Sequence, residues 1–477
     1  MNRLPPKQLV TEIKKIVSQR QIWRGRSVPA RYFRDGLRGY RAYQRFPKSG
    51  FTPYLVIRPE TTKELALLVK TARTFRYPLV PFGGGTGLMG GAVANSGGIV
   101  LDMKGFGSIK EINSDDRTAI VGAGVVLEDL ERELNHEGLR LGHDPWSRPR
   151  ATVGGAISTN GLGYFGARYG TMGDQVLGIE AVLGDNTIIR TRAAERSATG
   201  PLLRNLLIGS EGTLGLITEA TLRVFPQPEH SEMISFQFPG FEEGFGALQS
   251  IYAAGLRPSV LDFGGDFRGI EDVGRRQKSS EVPNALLYIL LEGTTEEVRA
   301  VKKKIAKQVS PFGGRLRGKE YGREYWKLRH EVVYRYDIDE DGFSLTDQRR
   351  KGSKFDFVHV YLPASKVLSY KRACENILRR HKIQECEFGV WNQPELFSVA
   401  ISLPSARPSD TKKLARVVDE MLLLAQEIGG SMEYCHGSGI KLSHLLPKEH
   451  GHSLMVLKTL KDVFDPDHIL NPGKLGL

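Results

Sequence analysis

Cysteine is scarce and long hydrophobic runs are missing, and each absence excludes a class of protein. The 477 residues include 3 cysteines, Cys374, Cys386 and Cys435, which form no Cys-x-x-Cys pair and no zinc-binding spacing. A disulfide framework and a structural metal are therefore not expected. No run of about 18 or more apolar residues predicts a transmembrane helix, and the first ten residues lack the apolar core of a secretory signal. We expect a cytoplasmic protein.

The chain has an excess of positive charge. It contains 67 Lys and Arg against 54 Asp and Glu, which gives a formal net charge of +13. Such an excess favours anionic partners: a phosphorylated cofactor, an acidic small-molecule substrate, or an anionic membrane surface that the protein touches peripherally. The basic residues are spread along the chain and form no recognisable nucleic-acid-binding motif, so nucleic acid is not the expected partner.

The length predicts more than one domain, because a chain of 477 residues exceeds what one hydrophobic core organises. Around Pro226-Gln227-Pro228 the pattern changes from short strands with glycine-rich loops to charged helices that alternate with strands. We therefore expect an N-terminal helical and basic extension, a glycine-rich domain, a second domain and a glycine-rich C-terminal segment, at residues 1–50, 51–227, 228–430 and 431–477.

Apolar periodicity predicts the individual helices and strands. Thr61 and Glu64 form a Thr-x-x-Glu capping box at the start of a helix. The predicted apolar face of this helix contains Leu65, Leu68, Val69 and Ala72. Two further helices are predicted at 295–309 and near 452–464. Short apolar runs predict strands at 54–57, 78–82, 98–103, 118–121, 176–183, 214–224, 285–292, 355–362 and 396–403.

The first chemical signal is the glycine-rich loop Pro81–Gly91. Glycine lets backbone N–H groups approach an anion, and Thr86 adds a hydroxyl donor, so the loop can hold a pyrophosphate. Gly85, Gly87 and Gly90 also fit the dinucleotide pattern Gly-x-Gly-x-x-Gly. The strand that follows leaves no room for the crossover helix that a Rossmann fingerprint requires. A flexible surface turn is the alternative interpretation of this loop.

Two later segments are also rich in small residues. Counting the loop Pro81–Gly91 as the first, the second segment begins at Asp144 and continues through Ala151–Gly163. Small side chains there let the backbone lie against a large planar ligand. Thr152 and Asn160 would add polar contacts. The third segment is Gly209–Glu219, for which a plain turn between two sheet strands is the alternative.

Together these motifs resemble the FAD-binding domain of the vanillyl-alcohol oxidase/para-cresol methylhydroxylase flavoproteins, in particular the branch of enzymes that oxidise D-lactate and glycolate. The shared motifs are Gly-Gly-Gly-Thr, Thr-Val-Gly-Gly, Gly-Ser-Glu-Gly-Thr-Leu-Gly and Asn-Pro-Gly-Lys, at 83–86, 152–155, 209–215 and 471–474. The resemblance implies an α+β fold. Residues 51–227 would form a two-subdomain FAD-binding domain of the para-cresol methylhydroxylase type, 228–430 an α+β substrate (cap) domain, and 431–477 would return to the FAD site.

The resemblance implies FAD as the cofactor. Some family members attach flavin through a histidine near the first loop, but this loop contains none, so noncovalent binding is expected; His143 is the nearest histidine further along. The first loop would bind the pyrophosphate, Thr152–Asn160 the ribityl chain and flavin edge, and Asn471 would close the pocket. The expected FAD-binding residues are Gly83, Gly84, Gly85, Thr86, Gly87, Leu88, Asp144, Thr152, Gly154, Gly155, Ser158, Asn160, Gly161, Gly170, Glu211, Gly212, Ile217 and Asn471.

Two catalytic residues are also implied. Arg329 ends a Trp-x-x-Arg segment similar to the one with which D-hydroxy-acid enzymes hold the substrate carboxylate, a task suited to a planar guanidinium. A surface arginine in a salt bridge is the alternative. His436 lies in a His-Gly-x-Gly element that the family places beside the flavin, where a histidine can accept the hydroxyl proton or act as an orienting donor. A loop histidine bonded to backbone is the alternative.

The metal-binding pattern of this branch is missing. Metal-assisted D-2-hydroxy-acid dehydrogenases of the branch that this chain resembles share a His-x-Gly-Asp-Gly-Asn-x-His element. They also share a glutamate directly before the histidine of the His-Gly-x-Gly element. Here Val390 and Phe397 stand in the two histidine places and Cys435 in the glutamate place. Because valine and phenylalanine cannot ligate a metal, none is expected.

The sequence therefore predicts an FAD-linked oxidase or dehydrogenase. It would oxidise a CH–OH group, for example that of a 2-hydroxy acid, by hydride transfer to flavin N5 without a metal. The electron acceptor and the oligomeric state are left open. Two alternatives remain: a non-redox flavoenzyme similar to alkyldihydroxyacetonephosphate synthase, and a flavin-binding component of a larger complex without chemistry of its own.

Overall fold

The structure is a computed structural model of the chain. It describes residues 5–38, 41–43, 45, 51, 53–268, 285–331, 354–403 and 407–477. Parts of the predicted N-terminal extension, at 1–4, 39–40, 44 and 46–50, lie outside the described residues. Within the described ranges, none of the helices combines the length with the apolar composition that a membrane span needs.

The first sheet has four strands. They are β1 (Ile22–Arg24), β2 (Leu55–Ile57), β3 (Leu79–Phe82) and β4 (Ile99–Asp102), in the order β1-β2-β4-β3. β2, β4 and β3 are parallel, and β1 is antiparallel to β2. Helices α1 (Lys7–Ile16) and α2 (Thr62–Thr74) pack against each other beside this sheet.

Helix α2 confirms the predicted N-cap and apolar face, but only half of the predicted capping box forms, because the Glu64 carboxylate accepts from the N–H of Glu60 instead of that of Thr61. The Thr61 side chain accepts a hydrogen bond from the backbone N–H of Glu64, which satisfies an amide that has no partner within the helix. The helix buries the four residues that the periodicity predicted, Leu65, Leu68, Val69 and Ala72. They belong to a core that also contains Leu55 and Ile99 of the sheet.

The second sheet is antiparallel and has five strands. They are β5 (Ile109–Asn113), β6 (Thr118–Gly122), β8 (Val176–Val182), β9 (Ile188–Arg190) and β10 (Leu216–Arg223), in the order β5-β6-β10-β8-β9. Between these strands lie α3 (Leu127–His136), β7 (Leu139–Arg140), α4 (Val153–Thr159) and α5 (Gly166–Tyr169). β7 pairs with β11 (Phe225–Pro226).

The third sheet is antiparallel and has seven strands among the described residues, in the order β15-β12-β14-β13-β17-β18-β16. They are β12 (His230–Phe238), β13 (Val260–Arg268), β14 (Ala285–Gly293), β15 (Arg315–Leu316), β16 (Lys354–Tyr361), β17 (Glu385–Trp391) and β18 (Leu396–Leu403). The accompanying helices are α6 (Phe241–Ala253), α7 (Thr295–Val309), α8 (Lys319–Leu328), α9 (Val367–Arg380) and α10 (Pro408–Glu427). A core rich in phenylalanine joins sheet and helices, with Phe241, Phe263 and Phe388 fully buried.

The C-terminal residues pack back onto the first two sheets. After α11 (Leu446–His450) and α12 (Ser453–Phe464), the chain runs beside β3, where Leu79 N–H donates to Ile469 and Asn471 N–H donates to Leu79. Lys461 is buried and donates to the carbonyl of Thr213, just ahead of β10. The loops around β3 and β10 are therefore held by the C-terminal segment.

Candidate functional site

A cavity of about 850 Å³ is lined by residues of all three sheets. Pro81 and Phe82 come from the first sheet, Ile217 from the second, and His359 and Trp391 from the third. The glycine-rich segments singled out in the sequence converge on this cavity. Fourteen of the expected FAD-binding residues line it: Gly83, Gly84, Gly85, Thr86, Gly87, Leu88, Thr152, Gly154, Gly155, Ser158, Gly161, Glu211, Gly212 and Ile217.

The first loop follows β3 closely and leaves one glycine facing open space. A Cβ on Gly84 would meet the backbone oxygen of Arg150 at 2.1 Å, so the protein itself requires glycine there. Gly85 has a φ of +65°, which favours glycine. A Cβ on Gly87 would meet only Asp35 Oδ2, at 3.8 Å. Gly87 therefore presents bare backbone to the cavity, as a site for a phosphate group requires.

Basic side chains surround this loop. The cations that line the cavity include Arg31, Arg34, Arg38, Lys104 and Arg150. The acidic Asp35 in the same wall is buried and already accepts hydrogen bonds from the N–H groups of Leu37 and Ala92, at 2.9 and 3.3 Å. Burial raises its pKa to about 6. The excess of cations fits the two negative charges of a pyrophosphate.

The second loop is organised by helix α4. Thr152 caps this helix by accepting from the N–H of Gly155, at 3.3 Å. A Cβ on Gly154 would lie 2.7 Å from the Cβ of Ala123, so α4 packs directly against the end of β6. Asn160 ends the helix with a φ of +50° and accepts from Gly173 N–H at 3.0 Å. Asn160 therefore shapes the loop from outside the cavity lining.

The third loop is tied to the C-terminal segment by Glu211. Its carboxylate accepts hydrogen bonds from the N–H groups of Ser438 and Gly439, at 2.8 and 3.0 Å. Burial raises the pKa of Glu211, while these N–H groups lower it. Asn471 lies behind the cavity wall and donates its amide to the carbonyls of Gly91 and Glu211, at 2.9 and 2.6 Å. Asn471 thereby joins the first loop to the third.

Two more of the expected FAD-binding residues lie away from the cavity lining. Gly170 has a φ of +76°, and a Cβ there would meet Asp174 Oδ2 at 2.3 Å, so this glycine serves a tight turn. Asp144 is buried beneath the wall, where its carboxylate contacts His330, Arg329 and Arg148 at 2.7, 2.9 and 3.0 Å. Burial alone would raise the pKa of Asp144, but these partners hold it well below its usual range.

Arg329 is turned towards Asp144 and is not among the described residues that line the cavity. Its Nε donates to Asp144 Oδ2 at 2.9 Å and its Nη1 to the carbonyl of Trp326 at 2.8 Å. The guanidinium lies 3.9 Å from the centroid of the Trp326 ring. In this arrangement Arg329 joins helix α8 to the second loop, and its predicted contact with substrate requires another conformation.

His436 lines the cavity, as a catalytic histidine must. Its Nδ1 lies 3.4 Å from Oε1 of Glu433, which also accepts from the backbone N–H groups of Cys435 and His436, at 2.8 and 3.0 Å. Burial lowers the pKa of His436, but Cys435 and Glu433 together raise it to about 10. The imidazole is therefore protonated at neutral pH.

A second histidine, His359 of β16, lines the cavity beside it and was not predicted from the sequence. The ring centroids of His359 and His436 are 4.8 Å apart, and His359 Nδ1 lies 3.2 Å from the hydroxyl oxygen of Tyr434. Burial, His436 and the nearby cations lower the pKa of His359 to about 3, so this imidazole is neutral. Its sequence signal is weak: a single histidine on the face of β16 that alternates with the core residues Val358 and Val360.

Of the three residues in the predicted metal-ligand places, Cys435 lines the cavity, whereas Val390 and Phe397 are not among the lining residues. Val390 pairs with Phe397 across β17 and β18, and both side chains are fully buried in the core of the third sheet. Within the described ranges, no group of three or more His, Cys, Asp or Glu side chains is arranged to hold a metal ion.

Comparison with known families decides the assignment. Residues 53–192 match the family described as "FAD binding domain", and residues 227–475, more than half of the chain, match "FAD linked oxidases, C-terminal domain". The chain belongs to the FAD-linked oxidase family. Its cofactor is FAD, and the glycine cradle, the cationic wall and the open face of Gly87 fit that molecule.

Two relatives with similar sequences carry the name of a hydroxy acid in their own names. The chain is 29% identical over 446 residues to glycolate oxidase subunit GlcD of Bacillus subtilis, covering 91% of each chain. It is 30% identical over 437 residues to D-lactate dehydrogenase of Archaeoglobus fulgidus, covering 88% of this chain and 91% of the relative. The protein is thus an FAD-linked oxidase or dehydrogenase.

Solved structures confirm the predicted fold class. An alkyldihydroxyacetonephosphate synthase superimposes with a TM-score of 0.79 at 21% identity, covering 100% of this chain and 87% of that one. A p-cresol methylhydroxylase with bound substrate gives 0.78 at 16% identity, covering 98% and 96%. The fold is therefore α+β, of the para-cresol methylhydroxylase type, with an FAD-binding part and a cap.

Proposed function

We propose that the protein oxidises the CH–OH group of a 2-hydroxy acid, with noncovalently bound FAD and without a metal. One observation carries the proposal: two neighbouring histidines, His359 and His436, face the same cavity as the glycine-rich FAD-binding loops. The names of the two relatives support a hydroxy acid as the substrate class. The structural likeness to alkyldihydroxyacetonephosphate synthase, at 21% identity, concerns the fold alone and does not favour the non-redox alternative.

Oxidation of an alcohol removes a hydride from carbon and a proton from oxygen. FAD, when bound, supplies the acceptor of the hydride. The protein supplies the acceptor of the proton, and the two histidines divide this task. His436, protonated because of Glu433 and Cys435, donates a hydrogen bond that orients the substrate oxygen, while neutral His359 accepts the proton. Because the two rings interact, they titrate as a pair.

We infer the absence of a metal from the side chains in the family's ligand places. Val390 and Phe397 have no donor atoms and lie in the core. A metal cation would polarise the substrate hydroxyl, whereas here the charged His436 would take that role. We therefore expect chelator treatment to leave turnover unchanged, and activity that is lost with chelator and restored by zinc or manganese would contradict this part of the proposal.

The test of the proposed function is anaerobic mixing of the holoprotein with a panel of 2-hydroxy acids, aldoses, simple alcohols and acyl-dihydroxyacetone phosphate. We expect 2-hydroxy acids to bleach the flavin absorbance and the other compounds to leave it unchanged. Bleaching by none of the hydroxy acids would overturn the proposal, and so would consumption of acyl-dihydroxyacetone phosphate without net flavin reduction. Reoxidation by oxygen, a quinone or an electron-transfer protein then identifies the electron acceptor.

A further inference from the structure

Arg41 reaches the cavity from the N-terminal segment, ahead of the part of the chain that matches the FAD-binding family. Its side chain is 2% exposed and lines the cavity wall. The guanidinium lies 5.6 Å from the centroid of the Phe357 ring, and Phe357 contacts His359 at a centroid distance of 5.5 Å. Arg41 is thus a buried cation at the histidine end of the cavity.

The charges around Arg41 do not balance. Buried Asp356 is paired with two cations, Arg41 Nη2 at 2.7 Å and Lys441 Nζ at 2.8 Å, and it also accepts from Ala42 N–H at 2.8 Å. The neighbouring pair of Glu433 and protonated His436 is neutral as a whole. Among the described residues, one positive charge of this group therefore has no counterion in a buried position, where such a charge is costly.

Arg41 also has hydrogen-bonding capacity left. Its Nε has no hydrogen-bond partner among the described residues, although it is shielded from solvent. A guanidinium donor of this kind suits a carboxylate oxygen. The single excess charge matches a carboxylate monoanion better than a phosphate dianion. Arg329, by contrast, donates its Nε to Asp144 and is not among the described residues that line the cavity.

An aromatic surface adjoins the cation. Trp146, Phe357 and Trp391 line the same cavity, and Trp146 lies 5.1 Å from Trp391 and 6.3 Å from Phe357 between ring centroids. Trp391 is held from behind by Tyr164, stacked at 5.6 Å. Rings in this arrangement present a large apolar surface. A two-carbon or three-carbon acid would leave most of it in contact with water.

We propose that the substrate is a 2-hydroxy acid with an aromatic or other large apolar side chain. Its carboxylate binds Arg41, and its side chain packs on Trp146, Phe357 and Trp391. This inference rests on the proposed oxidation of a 2-hydroxy acid. The binding part can be tested separately, because carboxylates without a 2-hydroxyl group cannot be oxidised and report binding alone.

The first experiment measures binding to the holoprotein by the change in flavin absorbance, with acetate, phenylacetate and the uncharged phenylacetamide. We expect phenylacetate to bind at least about 10-fold more tightly than acetate, because only phenylacetate covers the aromatic surface. We expect phenylacetamide to bind roughly 10- to 100-fold more weakly than phenylacetate, since a hydrogen bond between charged groups is lost. Equal affinity within either pair would overturn the inference without any variant.

The second experiment uses variants of the same segment. Arg41→Gln should weaken phenylacetate binding by roughly 10- to 100-fold, and Arg41→Lys should recover part of it because the charge is kept. Arg45→Gln is the matched control, since Arg45 is exposed. FAD content and thermal unfolding are measured in each variant. Unchanged phenylacetate affinity in a folded, FAD-loaded Arg41→Gln protein would remove Arg41 from the site.

The third experiment separates the inference from the proposed function. Anaerobic flavin reduction is compared for glycolate, lactate, phenyllactate and mandelate, and we expect the aryl acids to have the larger second-order rate constants. If phenylacetate binds in an Arg41-dependent way but no hydroxy acid reduces the flavin, the binding site stands and the proposed oxidation fails. If hydroxy acids reduce the flavin with no preference for the aryl compounds, the oxidation stands and the inference fails.

Discussion

Arg329 and Arg41 illustrate how the neighbours of a residue decide what it can bind. Both are arginines in ion pairs with a buried aspartate. Asp144 is shared by Arg329, His330 and Arg148 beneath the second loop, away from the cavity. Arg41 lines the cavity and leaves an unpaired Nε. The motif around Arg329 is visible in the sequence. The orientation of the Arg329 side chain, however, depends on Asp144, which is distant from it in the sequence.

The first residue-scale prediction concerns Gly87 in the first loop. Gly87→Ala should leave the fold intact, because the added methyl group would meet only Asp35 Oδ2 at 3.8 Å. The methyl group would nevertheless intrude where the backbone faces the cofactor, so we expect FAD to bind about 10-fold more weakly or worse. The measurement is FAD titration of the apoprotein, together with its thermal unfolding.

Gly84→Ala is the matched comparison for Gly87→Ala. A methyl group at Gly84 would meet the Arg150 carbonyl oxygen at 2.1 Å, so this variant should also unfold at a lower temperature without FAD. Wild-type FAD affinity in Gly87→Ala would show that this glycine does not contact the cofactor.

The second residue-scale prediction concerns the two histidines. His436→Asn should slow anaerobic flavin reduction roughly 100-fold or more while substrate binding is mostly preserved, because an amide cannot supply the positive charge. Since His436 lowers the pKa of His359, the same change should move the acidic limb of the pH–rate profile to higher pH. Stopped-flow reduction across pH measures both effects.

His359→Asn and His450→Asn complete that comparison. His359→Asn should also slow reduction and should abolish the acidic limb. His450 is exposed, so His450→Asn should match the wild type in rate and profile. A wild-type profile in His359→Asn would exclude this histidine as the proton acceptor.

At the scale of elements, the C-terminal segment holds the FAD-binding loops in position. Glu211 and Asn471 connect the first loop, the third loop and the segment around Ser438 through buried hydrogen bonds. The sequence places Asn471 in a recognisable Asn-Pro-Gly-Lys motif, and the structure shows it behind the cavity wall. We therefore propose that Asn471 supports FAD binding indirectly, through Gly91 and Glu211.

The element-scale prediction is that Asn471→Gly loosens the FAD site. Glycine tolerates the positive φ of this position, so the change removes only the amide that serves the carbonyls of Gly91 and Glu211. Leaving two buried carbonyls unpaired should cost about 1–3 kcal/mol of stability and weaken FAD binding. Thermal unfolding and FAD titration measure the two effects.

Asn186, another asparagine with a positive φ, provides a control for this change. Asn186 has a φ of +69° and makes one long side-chain contact, with Arg73 at 3.4 Å. Asn186→Gly should leave FAD affinity unchanged. If Asn471→Gly behaves like Asn186→Gly, the amide of Asn471 does not support the loops.

The elements themselves were largely predictable, because each depends on local sequence. The Thr61 N-cap of α2 and the apolar pattern of each strand each depend on residues only a few positions apart in the sequence. Helix α7 has the predicted bounds, Thr295–Val309, and β18 the predicted Leu396–Leu403. The pairing order of the third sheet was not predictable, because β13 pairs with β17, a strand that is far from it in the sequence.

At the scale of the whole molecule, buried titratable groups couple stability to pH. His143 is buried in the wall of the cavity, and burial lowers its pKa to about 4 from an ordinary value of 6.5. The folded state therefore disfavours protonation of His143. Its contribution to stability is fully present above pH 6.5 and is lost as the pH falls towards 4. The pKa of Asp35 is raised to about 6 from 3.8, so Asp35 takes up a proton more readily in the folded state and increases the stability as the pH falls from 6 to 3.8.

The whole-molecule prediction is a difference between the wild type and His143→Asn. Between pH 7 and pH 4 the wild type should lose up to about 3 kcal/mol more stability than the variant, which cannot take up that proton. Because Asp35 is present in both proteins, its effect cancels in the comparison. Urea unfolding of the two holoproteins at a series of pH values measures this difference in stability. Parallel curves of unfolding free energy against pH would contradict the role of His143.

The sequence by itself determined the cofactor class and which stretches of contiguous backbone are candidates for binding it. The glycine-rich loops could be identified because residues such as Gly83–Gly87 are adjacent in the sequence. Their successive backbone N–H groups can together bind an anion, so the sequence pattern alone indicates the site. The tertiary structure alone decided which side chains face the cavity. His359, His436, Trp146 and Arg41 come from four distant parts of the chain and meet only when the sheets pack, whereas Arg329 is drawn to Asp144 by the same packing. Such contacts depend on burial and on unpaired charge, which exist only in the folded molecule.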